Sequence, residues 1–162
     1  MWTLSFEKKT LHRRCAVMSV LVSLSVLTAG GILSYQRHQR DYRVINGQEL
    51  CIVIRSQDEA RQAAVFFDAS SANAPVQEEE VIIPYRFSDT YIRYNELQKA
   101  YGTNLEDYKG KTCTKYSFYQ EDDSGSGGHT VTLLVCRKHL IGGDISENAF
   151  DGAMRGLVSF TA

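Results

Sequence analysis

The chain predicts an α+β domain, in which a small antiparallel sheet packs against two helices behind one long apolar helix. Three observations carry this. Cys15 to Tyr35 holds no charged residue and is rich in Val, Leu, Ile and Ala. Two segments, opening at Ser56 and Ser88, place apolar side chains at helical spacing behind a capping residue. Three β-forming runs near the C-terminus are separated only by polar stretches, the layout of a three-strand meander.

Taken in order, residues 1–14 form a basic tail with Lys8, Lys9, Arg13 and Arg14 against Glu7. As a helix rising about 1.5 Å per residue, Cys15 to Tyr35 spans roughly 30 Å, the thickness of a bilayer's hydrocarbon core. The positive tail predicts a cytoplasmic N-terminus and a domain outside, although Arg37, Arg40 and Arg43 reduce the contrast. A signal peptide cut near Gly30, releasing a secreted soluble domain, is the alternative. The apolar stretch is longer than such a peptide's usual core. Leu27-Thr28-Ala29-Gly30 resembles a lipoprotein box, but Gly31 stands where lipidation needs a cysteine. A buried soluble helix would show a polar face, and none is marked here. Ala16, Ser19, Ser23, Val26 and Gly30 make a small-sided stripe, which suits a partner helix or ordinary helix composition.

Residues 36–55 form a juxtamembrane segment and the first strands. Tyr42 to Ile54 is rich in β-formers around Asn46-Gly47, a favoured hairpin turn. Ser56-Gln57-Asp58-Glu59 has the capping-box pattern and predicts a helix to about Asp68, burying Ala60, Ala63, Ala64 and Phe67. Ala69 to Pro75 predicts a loop, and Glu79 to Ile83 a short strand ended by Pro84. In the second helix Phe87, Tyr91, Tyr94, Leu97 and Tyr101 make an aromatic stripe. Ser88 caps its start, Gly102 closes it, and Leu105 folds back over the end. The meander strands are Lys111 to Tyr119, Thr130 to Cys136 and Leu140 to Ile145, with an acidic Gly/Ser-rich loop from Gln120 to His129.

Four cysteines, Cys15, Cys51, Cys113 and Cys136, show no C-x-x-C spacing, so neither a disulfide framework nor a zinc module is implied. If Tyr119 pairs with Thr130, the register sets Cys113 opposite Cys136. A bridge there would be strained, so free thiols are expected.

Ile83-Pro84, Tyr94-Asn95-Glu96-Leu97-Gln98-Lys99, Tyr108-Lys109-Gly110-Lys111, Ile141-Gly142-Gly143-Asp144-Ile145 and Asp151-Gly152 follow one another in order. With these motifs the segment from Ser56 to Leu157 resembles a bacterial domain-of-unknown-function family, number forty-eight thirty in that series. The resemblance implies a single-pass membrane protein of Gram-positive anaerobes with its domain on the outer side. It implies no activity. This chain departs from the family at Asn104, where an acid is usual, and at Ala153 and Arg155, where Phe and His flank the final Met.

Candidate chemistry is sparse. Asp144, after Gly142-Gly143 at a predicted strand end, and Asp151 could work as paired carboxylates if about 5–10 Å apart. Alternatively, the glycines turn sharply and Asp144 accepts two or three of the gathered N–H groups, which would favour its ionised form and make its loss destabilising. Asn95 and Gln98 share a helix face and could bond a ligand or the adjoining turn. With Gly142, Gly143 and Asp144 they are the ligand-binding candidates. Glu121, Asp122, Asp123 and His129 lack the spacing of a calcium loop. Cys113 or Cys136 with His129 or His139 would suit a thiol nucleophile, but both cysteines fit alternating strands as core residues. The segment from Gln36 on carries a net charge of −4, which argues against nucleic acid. With no phosphate loop or dinucleotide fingerprint, no cofactor is implied. The layout predicts a non-enzymatic, membrane-anchored extracytoplasmic domain that binds envelope protein or cell-wall material. An envelope hydrolase using Asp144 and Asp151 is the rival.

Overall fold

The computed structural model describes Ser25, Thr28 and residues 30–121, 127–148 and 152–157. It divides into two units, Met1–Arg40 and Asp41–Ala162. In the first, Ser25, Thr28 and residues 30–40 are helical (α1). Most of the predicted membrane span, and all of the small-sided stripe but Gly30, lie outside the described residues. Among those described, no helix is long and apolar enough to cross a membrane.

The second unit opens on the expected hairpin. β1 (Tyr42–Ile45) pairs with β2 (Gln48–Cys51) as a separate two-stranded sheet. Asn46 at φ 51° and Gly47 at φ 78° make the turn, the backbone that an Asn-Gly pair adopts most easily. Helix α2 (Gln57–Phe67) starts at Ser56, whose hydroxyl accepts the Glu59 N–H, while the Glu59 carboxylate accepts the Arg55 N–H. The loop expected from Ala69 contains a 3-10 turn, Ala69–Asn73, because the Asp68 side chain caps the Ser70 N–H.

The main sheet has five antiparallel strands, in which the short strand expected at Glu79 to Ile83 and an unexpected final strand flank the predicted three-strand meander. The strand order is β3 (Val76–Ile82), β4 (Thr112–Glu121), β5 (Gly128–Cys136), β6 (His139–Glu147) and β7 (Met154–Gly156). β3 begins three residues before the predicted strand, since its first residues find a ladder partner in β4, with Val76 opposite Phe118. β7 is too short to leave a periodic trace in the sequence. Tyr119 does lie opposite Thr130, and that register runs down to Thr114 opposite Val135. One step further, the same register sets Cys113 opposite Cys136, both free and buried as predicted. The two-residue turn from β5 to β6 is made by Arg137 and Lys138, at φ 51° and 67°.

Alternation along the strands gives the sheet two packed faces. One carries Tyr116, Phe118, Val131, Leu133 and Ile145 against the alanines of α2 and against Ile45, Leu50, Ile52 and Ile54. The other carries Cys113, Leu134, Cys136 and Ile141 against Ile83, Leu105 and the aromatic row Phe87, Tyr91 and Tyr94. That row belongs to helix α3 (Asp89–Ala100) and its approach. The aromatic stripe is not the most buried part of α3. Asn95 and Gln98 are, because this helix lies where the sheet offers polar backbone.

Candidate functional site

The polar backbone is made available by two glycines. Gly142 and Gly143 sit inside β6, within the predicted strand and not in the sharp turn that was the alternative, and both have φ 157°. Ile141 is the extra residue of a bulge, since Leu134 faces Gly142 while Val135 faces Leu140. A Cβ at Gly142 would collide with Gln98 Oε1, and one at Gly143 with the carbonyl oxygen of Thr132. The bareness of Gly142 admits Gln98, whose Oε1 accepts the Gly143 N–H at 2.7 Å. Gln98 Nε2 is buried without a partner. One turn earlier, Asn95 Oδ1 accepts the Leu105 N–H at 2.7 Å and its Nδ2 donates to Asn104 Oδ1 at 2.9 Å. The two amides join α3 to the strand and turn beside it.

Beyond that junction the same sheet face carries Lys115 on β4, Thr132 on β5, Asp144 and Ser146 on β6, and Met154 on β7. With Tyr91 and Tyr94 of α3 they line a groove of about 390 Å³. Of the five ligand-binding candidates, only Asp144 reaches it. The other four are held under the helix.

Asp144 is 5 % exposed, and its Oδ1 accepts the Tyr94 hydroxyl at 3.1 Å. Burial pushes its pKa from the ordinary 3.8 up to about 6, against the downward pull of hydrogen bonds from Tyr94 and Ser146 and of the Lys115 charge. The carboxylate therefore does not gather backbone N–H groups, and its ionised form is disfavoured where the sequence suggested it would be favoured. The donors differ: Gln98 has already taken the Gly143 N–H, and hydroxyls face the acid instead. Burial, then the charge of Asp144, holds the Tyr94 hydroxyl protonated well above its usual range. Lys115 pairs with Glu79 at 2.8 Å, both being half-exposed.

Asp151 lies outside the described residues. Glu79, on the same face, is three strands from Asp144, roughly 14 Å at about 4.8 Å per strand.

The thiols are core residues. Burial, followed by a hydrogen bond with Cys136, pushes Cys113 up to about 12, the opposite of an activated nucleophile. The histidines are engaged elsewhere. His139 Nδ1 meets the Arg137 carbonyl at 3.0 Å, and His129 Nε2 lies 2.5 Å from Asp68 Oδ2 and 3.3 Å from Ser70 Oγ. This Asp68–Ser70–His129 cluster was not foreseen, since only the Asp68 cap is legible locally. It is no proton relay: Ser70 donates to Asp68 at 2.6 Å, and serine and acid approach the same ring nitrogen. Asp122 and Asp123 lie outside the described residues, and among those described no group of His, Cys, Asp and Glu could hold a metal ion.

No protein-family model, curated protein or solved structure matches this chain. The family resemblance therefore rests on its motifs alone.

Proposed function

We propose that Asp41–Ala162 is a non-enzymatic binding domain of the bacterial cell envelope, with the groove at Asp144 as its ligand site. One observation carries this. A buried carboxyl, its pKa raised by burial, stands in the wall of a groove lined mostly by apolar and aromatic side chains. Groups placed at a cost to stability within a concave, mostly apolar surface mark sites of use. A photo-crosslinking residue at Met154, in the full chain in its native membranes, is expected to give discrete adducts. Thr132→Trp, which fills the groove, should abolish them, while adducts from a crosslinker at Val44 persist. Equal adduct patterns at both positions, or persistence at Met154 after filling, would refute the site.

The uncharged stretch Cys15 to Tyr35, the basic tail and the family motifs support a single-pass anchor in the lipid bilayer with the domain outside. Retention in membranes after a high-salt wash, and labelling of the domain on intact cells by an impermeant reagent, test it. Release of a soluble form starting near Gly31 would replace the anchor by a signal peptide. One observation favours the hydrolase reading: a carboxyl with a pKa of about 6 suits a proton donor. Its partner would be Asp151, and Asp151→Asn should then abolish turnover of cell-wall glycan while leaving binding intact.

A further inference from the structure

Given that the groove is the ligand site, we infer that it takes a primary ammonium group carried on a short apolar body. Every polar group facing the groove except Lys115 carries an oxygen that can accept, although the hydroxyls of Tyr91, Tyr94, Thr132 and Ser146 can also donate, and Tyr94 and Ser146 spend their protons on Asp144. Asp144, Ser146 and Thr132 present oxygens, and the Tyr94 hydroxyl, having donated to Asp144, keeps its lone pairs. The cation at the rim, Lys115, is already matched by Glu79 at 2.8 Å. Asp144 therefore supplies the charge that no lining residue neutralises by direct contact. An ammonium brings three N–H donors and the opposite charge, which fits this set. An anion would meet Asp144 with like charge, and an alcohol would cover the carboxylate without compensating it.

The walls suit an apolar body. Ile82 and Met154, on opposite edge strands, are 65 % and 53 % exposed, and Leu134 lies between them. The Tyr91 and Tyr94 rings, 5.8 Å apart, add aromatic faces that attract a cation.

Binding should follow the ionisation of Asp144. Facing it are Tyr91 and Tyr94 from α3, Lys115 from β4 with its partner Glu79 from β3, the hydroxyls of Thr132 and Ser146, and uncharged Met154 and Gly156 of β7. Both tyrosines are raised above their usual range by burial and stay neutral. With a pKa of about 6 for Asp144, the competent fraction and so the apparent affinity should fall about tenfold from pH 7 to pH 5.

The test is nuclear magnetic resonance titration of the full chain with pentylamine, pentanol and pentanoate, which share one apolar body. Near neutral pH, pentylamine is expected to shift the backbone amides of Thr132, Asp144 and Ser146 saturably. The other two should bind about tenfold more weakly or less. Asp144→Asn should weaken pentylamine about tenfold. Lys115→Met should strengthen it, a gain that no unfolded variant can produce. Pentanol or pentanoate binding as well as pentylamine, or full binding by Asp144→Asn, would overturn the ammonium and leave the groove as a site. No shift from any of the three would overturn both.

Discussion

Replacing Asp144 by asparagine isolates what a carboxyl beneath α3 costs the fold. The amide keeps an oxygen for the Tyr94 hydroxyl, now 3.1 Å from Oδ1, and a donor for Ser146, so packing is preserved. What changes is titration. Near pH 3 the carboxyl is protonated in both folded and unfolded chains, and the acid costs little relative to the amide. Between the unfolded value near 3.8 and the folded value of about 6, the unfolded chain gives up its proton first. The native state then binds more protons, so wild-type stability falls as pH rises. Above about pH 6 both states are ionised and the penalty is constant, roughly 3 kcal/mol at about 1.36 kcal/mol per pH unit. For a domain of this size, roughly 3 kcal/mol corresponds to a melting shift on the order of 10 °C. Urea unfolding of wild type and variant across this range, analysed as a difference, removes the contributions of all other groups. Asp144→Asn should match wild type in strong acid and exceed it near neutral pH. A variant less stable than wild type near neutral pH, or a difference independent of pH, would refute the argument. The expected sign is opposite to the one a backbone-capping aspartate would give.

The other predictions concern separate parts of the fold. Asn95→Ala leaves the buried Leu105 N–H without its acceptor and should cost about 1–3 kcal/mol, read from the urea midpoint. Against burial, which works upward, the Ser70 hydroxyl and N–H and then His129 hold the Asp68 pKa below 3.8. Asp68→Asn should therefore destabilise the domain above that pH, and calorimetry should show the difference vanish as pH falls through the folded value. In a Cys15→Ser chain, a thiol reagent should label Cys51 rapidly in the native state and reach Cys113 and Cys136 only after denaturation. Lys138→Gly relieves a left-handed backbone in the β5–β6 turn and should raise stability by up to about 1 kcal/mol, observed as a higher melting temperature.

Much of the architecture was legible because its causes are local. Asn46-Gly47 made a hairpin, since those two residues accept positive φ more readily than others. Ser56 and Ser88 began helices because a hydroxyl can take an orphan N–H three residues on. The β4–β5 register followed from one pairing, as a ladder without bulges preserves its offset, and it brought Cys113 beside Cys136. The β5–β6 turn was less legible, because Arg137 and Lys138 carry none of the usual turn chemistry.

What only the tertiary structure decided is which groups meet. Gly142 and Gly143 fall within a predicted strand, with a sharp turn as one reading of the pair, but here the missing side chain of Gly142 lets a helix glutamine reach the sheet. That approach requires Gln98, forty-five residues away along the chain, and no local pattern encodes it. The same contact settled Asp144. With the Gly143 N–H already taken, the carboxyl faced hydroxyls and apolar walls, and burial raised its pKa where local donors would have lowered it. The amino-acid order by itself determined the elements, the caps and the alternation of faces, all of which depend on a few neighbouring residues. The groove and the charge state of its acid depend on where α3 sits across the sheet, and long-range packing alone determines that.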